Sequence, residues 1–100
     1  MINIITKNMF LENEYYKTFQ IGDYAVVAYD KNFIRNTLSD YIEKNVGQIT
    51  KVRNSFGYCG VTYDDKINGE DTHFIDFNDI KTFKTKEEAE TYLITKKYNL

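Results

Sequence analysis

Asn68-Gly69 constrains this chain more than any other pair of residues. A type I′ turn needs positive φ at both central positions, and Asn followed by Gly accepts them readily, so the chain is expected to double back there as a β-hairpin. With these two residues as the turn, Lys66 faces Asp71, Tyr63 faces Phe74 and Thr62 faces Ile75, giving a charge pair and an aromatic pair across the strands. The same register sets Asp76 opposite Val61, on the face of Tyr63 and Phe74, and that mismatch predicts a bulge or slip near Gly57 and Gly60.

The other elements follow from local pattern. Ile2, Ile4 and Ile5 suggest a first strand that Asn13 and Glu14 end, after which Tyr15, Tyr16 and Phe19 open a new apolar segment. Ile21-Gly22-Asp23 reads as a turn leading into the strand Tyr24-Ala25-Val26-Val27-Ala28-Tyr29. Between Lys31 and Asn45 the period changes: Ile34, Leu38, Tyr41 and Ile42 share one helical face, with Asp30 or Asn32 available as N-cap. Gln48 to Val52 and Phe56 to Tyr63 predict two more strands, and Asp79 to Phe83 reads as a short turn. Thr85 and Glu88 form a capping box, Ala89, Tyr92 and Leu93 an apolar stripe, and Lys96 and Lys97 suit the negative end of the dipole, so a helix is expected over residues 85–98.

Four or five short strands, one inserted helix and one terminal helix predict an α+β, mainly β domain: a small, strongly bent, five-stranded antiparallel barrel, SH3-like or OB-like. A chain of 100 residues suits one domain spanning residues 1–100, and with no Pro and no Gly/Ser-rich tract it offers no place to divide. Nine Tyr and seven Phe favour β structure. Eleven of the 13 basic residues are Lys and Asn is abundant, the codon bias of an AT-rich genome, which suggests a bacterial, phage or mobile-element origin. The lone Cys59 excludes an intramolecular disulfide and agrees with a reducing compartment, and residues 1–11 are too short and polar for a signal peptide or membrane span, so a cytoplasmic protein with no membrane contact is expected.

Phe19 to Val26, then Gly47-Gln48-Ile49 and Tyr58 to Asp64, resemble the strand plan of SH3-like barrels of the KOW type, which open on an apolar-x-apolar-Gly-Asp turn and continue with a Gly-x-Ile strand. The inserted helix exceeds the usual KOW loop, which weakens the ribosome- or RNA-contacting role that this resemblance would imply. Gly47 to Ile80 is also similar to the front half of a cold-shock, OB-type domain. Ser55-Phe56-Gly57-Tyr58 matches its first RNA-binding motif, Asp64-Asp65 the following turn, and Glu70-Asp71 with Phe74-Ile75-Asp76-Phe77 its second. That resemblance implies base-stacking roles for Phe56, Tyr58, Phe74 and Phe77. Asn54-Ser55 in place of Lys-Gly, and Asp76 in place of His, depart from the pattern.

No catalytic set emerges. Cys59, His73 and Asp76 are the residue types of an activated thiolate, but the uniform hairpin register sets His73 opposite Asp64, five residues or roughly 16 Å along the strand from Cys59. An EF-hand-like reading of Asp64 to Ile75 fails because Lys66 and Ile75 stand where ligands belong, one Cys and one His cannot make a zinc site, and no Gly-rich phosphate loop is present. Neither metal nor cofactor is expected, and the chain reads as a non-enzyme.

Two binding roles fit what remains. Asp64, Asp65, Glu70, Asp71, Asp76 and Asp79 with Lys66 give residues 64–79 a formal charge of −5, leaving +3 elsewhere in a chain of net −2. An acidic hairpin face of this kind would dock on, and inhibit, a partner protein with a basic surface. The alternative is a single-stranded RNA- or DNA-binding barrel in which Lys51 and Arg53 hold phosphates while Phe56, Tyr58, Phe74 and Phe77 stack bases. The net charge argues against wrapping of duplex DNA, which needs clustered cations.

Overall fold

A computed structural model describes residues 19–98; the strand expected at Ile2 to Ile5 and the Tyr15-Tyr16 segment lie outside the described residues. The elements are β1 (Tyr24–Val27), α1 (Thr37–Lys44), β2 (Gly47–Arg53), β3 (Tyr58–Ile67), β4 (Glu70–Asp76), a 3-10 turn (Phe77–Asp79), β5 (Ile80–Phe83) and α2 (Lys86–Tyr98). All strand pairs are antiparallel, in the order β4-β3-β2-β1-β5. The outer strands β4 and β5 do not pair with each other, so the sheet is open rather than closed.

Alternation along the strands divides the sheet into two faces. On the inner face Ala25, Val27, Ile49, Cys59, Val61, Tyr63 and Ile75 form the main core with Ile42 of α1, and Leu38 and Tyr41 pack against it. On the outer face Val26 is buried where α2 packs on β1 and β5, and Ala89 of α2 is equally buried. Tyr92 of α2 meets Phe83 at 5.2 Å between ring centroids, with the Lys81 ammonium 5.6 Å from the Tyr92 centroid. Because α2 contacts β1 and β5, the β2-β3-β4 half of the outer face is left uncovered among the described residues.

The α2 start follows its capping box: the Glu88 amide donates to Thr85 Oγ1 at 3.1 Å and the Thr85 amide to Glu88 Oε1 at 3.3 Å. α1 is shorter than its periodicity suggests. Asp30 takes the Asn32 amide in a local turn, and Asn36 is the N-cap, exchanging bonds with Ser39 in both directions. Arg35 holds the preceding loop in a non-helical course by donating to the carbonyls of Tyr29, Asp30 and Phe33 while forking onto Glu43. Ile34, expected on the helical face, is therefore exposed. Burial raises the Glu43 carboxyl, but the Arg35 fork and the Tyr29 amide outweigh it and hold that group below its ordinary value.

Three further expectations need correction. Asp79 to Phe83 is not a turn: the chain turns earlier, at Phe77–Asp79, and Ile80–Phe83 pairs with β1 as the fifth strand. Phe56 and Gly57 belong to the β2-β3 turn, where Gly57 has φ +78° and its amide donates to the Arg53 carbonyl, so β3 begins at Tyr58. Asn68 and Gly69 do form the hairpin turn, at φ 58° and 83°, and Ile67 faces Glu70 as expected. A bulge does lie opposite Gly60, but in β2, between Ile49 and Lys51; the slip of the β3-β4 hairpin itself lies between Thr62 and Ile67, so that Thr62 faces Thr72, Gly60 faces Phe74 and Tyr58 faces Asp76.

Tyr63 is buried on the core side of that slip, and its hydroxyl has no hydrogen-bond partner among the described residues. Burial drives its ionisation upward, with Tyr29 and Tyr41 adding to the effect. An unpartnered buried hydroxyl is destabilising, so Tyr63→Phe is expected to raise stability by up to about 1 kcal/mol in a denaturant titration. A loss of more than that amount would mean that the hydroxyl makes a bond worth keeping.

Candidate functional site

The β2-β3-β4 part of the outer face, uncovered among the described residues, is built in rows by strand register. Lys51, Gly60 and Phe74 form one row across β2, β3 and β4; Arg53, Tyr58 and Asp76 form the next. Thr50, at the β2 bulge, lies 2.9 Å from Thr62 between hydroxyls, and Thr62 lies 2.7 Å from Thr72, so a line of three hydroxyls bounds the rows on the side of the hairpin tip. At the opposite end Phe56 projects from the β2-β3 turn beside Tyr58.

Three rings gather there. Phe56 and Tyr58 are near parallel with centroids 5.9 Å apart, and Tyr58 meets Phe74 edge-on at 5.2 Å. Phe56 is 73% exposed and Phe74 53%, large fractions for phenyl groups on a sheet surface. Gly60 forms the floor: a Cβ at that position would stand 3.2 Å from Phe74 Cε1 and 3.1 Å from Lys51 Cβ, so the absent side chain lets the ring and the lysine stem lie close to the backbone. Lys51 and Arg53 are exposed and border the rings on the β2 side.

An open cleft of about 330 Å³ adjoins Phe56, and Asn54, Asp76 and Asn78 contribute to its wall. Asp76 Oδ1 accepts the Asn78 amide at 2.8 Å, capping the 3-10 turn. Sequence reasoning nominated Lys51, Arg53, Phe56, Tyr58 and Phe74, and all five belong to this face. Phe77 is instead 6% exposed and stacks on Phe19 at 4.4 Å inside the core. The close backbone approach expected at Gly60 is present, whereas the hydroxyl line and the cleft asparagines were missed, because they depend on the β2 bulge, the β3-β4 slip and the turns that bring them together.

The six acids divide into two groups at opposite ends of β4. Near the hairpin, Asp64 is 90% exposed with Lys86 at 3.9 Å, and Asp65 accepts the Tyr41 hydroxyl at 3.2 Å while its amide donates back to that oxygen. Glu70 and Asp71 stand at the start of β4, where Asp71 Oδ1 accepts the Thr72 hydroxyl. At the far end Asp76 caps the 3-10 turn and the Asp79 carbonyl accepts the Ala28 amide. Burial first, then the charges of Asp76, Asp30 and Glu43, push the Asp79 carboxyl upward.

The slip also brings His73 nearer to Cys59 than the uniform register implies, since His73 faces Val61 and Cys59 faces Ile75. The thiol is nevertheless fully buried on the inner face, where burial pushes it up to about 11, and the His73 Nε2 lies 3.1 Å from the Glu70 carbonyl. Asp76 is on the outer face with Tyr58, so the three groups do not converge. No three His, Cys, Asp or Glu among the described residues are placed to hold a metal, and no helix among them is long and apolar enough to cross a membrane. Comparison with known proteins finds no matching family model, no matching curated protein and no matching solved structure.

Proposed function

We propose that this protein is a non-catalytic binder of single-stranded RNA or DNA, using the uncovered half of its outer sheet face. The observation that carries the reading is the exposure of Phe56 and Phe74, with Tyr58 between them and Lys51 and Arg53 alongside. Every base has a π-face, so exposed rings bind unpaired bases without needing a particular sequence, and flanking cations neutralise the phosphates between them. The strand order favours the SH3-like over the OB-like barrel, because β1 to β4 run as a meander and β5 returns to the free edge of β1, whereas the OB barrel is a Greek key.

Fluorescence anisotropy with labelled random single strands at low salt tests this directly: micromolar binding is expected, and a flat signal at tens of micromolar protein ends the reading. The cations give a separate, quantitative expectation. If Lys51 and Arg53 each meet one phosphate, the double variant Lys51→Ala/Arg53→Ala lowers the slope of log K against log salt by roughly 1.4. An unchanged slope would remove these two residues from the interface.

A second reading rests on Asp64, whose side chain is 90% exposed at the anionic hairpin end. That end would dock on a basic surface of a partner protein, as an inhibitor does. It ranks lower because Asp65 is engaged by Tyr41, and Asp76 and Asp79 stand at the other end of the strand. A protein of this second kind gives no anisotropy change with single strands and loses its partner on Asp64→Lys.

A further inference from the structure

Resting on the nucleic-acid reading, we infer that the cleft beside Phe56 is a nucleobase pocket selective for guanine, with the Asp76 carboxylate as the reading group. Phe56 and Asp76 line the same open cleft of about 330 Å³, and Phe56 is the most exposed of the three rings. A base stacked on the outward face of that ring extends its edge over the cleft, towards Asp76 and the asparagine positions 54 and 78.

The chemistry of the carboxylate chooses the base. An ionised carboxylate only accepts hydrogen bonds, and its two oxygens together offer about four lone-pair sites. Oδ1 uses one of them for the Asn78 amide, and that bond fixes the orientation of the group. Guanine alone among the four bases presents two adjacent donors, N1–H and the 2-amino group, on its Watson–Crick edge. Uracil and thymine present one N–H between two carbonyls that a carboxylate repels, and adenine and cytosine present one amino group beside a ring acceptor. Asp76 therefore pairs in two-pronged fashion with guanine and is left partly unsatisfied by the others.

Anisotropy with three labelled strands separates this from simple stacking: a short oligouridine, the same strand with one central guanosine, and the same strand with inosine there, which keeps N1–H but lacks the 2-amino group. The guanosine strand is expected to bind about tenfold more tightly than oligouridine, the usual scale for a good two-pronged base contact, and inosine to lose most of that gain. Asp76→Asn removes an acceptor while keeping a residue that caps as well as Asp, so its melting temperature stays near that of the parent. This variant binds oligouridine at least as well, because a charge that repels phosphates is gone, and it no longer prefers guanosine. Equal affinity for guanosine and oligouridine strands in the parent, or a preference that survives Asp76→Asn, overturns the pocket while the stacking face stands. Failure of every strand to bind ends both.

Discussion

Gly47→Ala is expected to lower stability by about 3 kcal/mol, seen as a melting temperature lower by about 10–20 °C. Gly47 opens β2, faces Ala25 of β1, and is buried against the inner core. A Cβ there would run into Val61 Cγ1 and stand 2.8 Å and 2.9 Å from Cζ and Cε2 of Tyr63. Neither neighbour has room to withdraw, since Val61 is fully buried and Tyr63 is 4% exposed against Tyr41. The backbone of β2 is held equally firmly, because the Ile49 amide bonds the Asp23 carbonyl and the Gly22 amide bonds the Ile49 carbonyl. Overpacking a core on this scale forces side chains off their rotamers or moves the strand, and both are costly. Val61→Ala makes room for the new methyl group, so the double variant is expected to be more stable than the sum of the two single losses, a coupling that a double-mutant cycle measures. A single variant that melts within two or three degrees of the parent would contradict the described packing of Gly47.

The elements that could be read from the sequence were those whose cause is local. Thr85 and Glu88 cap α2 through each other, Asn68 and Gly69 supply their own positive φ, and the apolar run at β1 needs no distant partner to be recognised as a strand. The misread elements are decided from elsewhere in the chain. Arg35 reaches Glu43 and the carbonyls of three loop residues, which overrides the helical spacing of Ile34. The slip in the β3-β4 hairpin has a similar origin: Tyr41 of α1 both donates to Asp65 and accepts its amide, while the Tyr63 ring packs over Gly47 and meets Tyr41 at 5.7 Å. Residues 63–66 are thereby drawn towards α1, with only Asp71 opposite them between the Thr62-Thr72 and Ile67-Glu70 pairs.

That slip decides the candidate site. Side chains alternate with period two along a strand, so a shift by an odd number of residues exchanges the faces. In the uniform register Phe74 faces Tyr63 and points into the core; in the observed one it faces Gly60 on the outer face, next to Tyr58. The residue types of the face were therefore legible in the sequence, while their convergence was not.

Phe56→Ala/Phe74→Ala is expected to weaken single-strand binding by at least about 30-fold, since each base-aromatic stack contributes about 1–3 kcal/mol. The two rings flank Tyr58, so losing both removes the ends of the stacking surface and leaves one half-buried ring that cannot hold successive bases. Folding is affected less than binding, because Phe56 and Phe74 stay 73% and 53% exposed, so no more than about half of either ring's area leaves water when the chain folds. Ile94→Ala serves as the control, an exposed apolar side chain on α2, and it is expected to leave both affinity and melting temperature unchanged. The separation of affinity from stability is what distinguishes a ligand-facing ring from a core ring. If the double variant keeps its affinity, the rings are surface residues without a partner. If it loses affinity and melting temperature together, they support the hairpin rather than a nucleic-acid strand. Loss of affinity with retained folding assigns them to the bound bases.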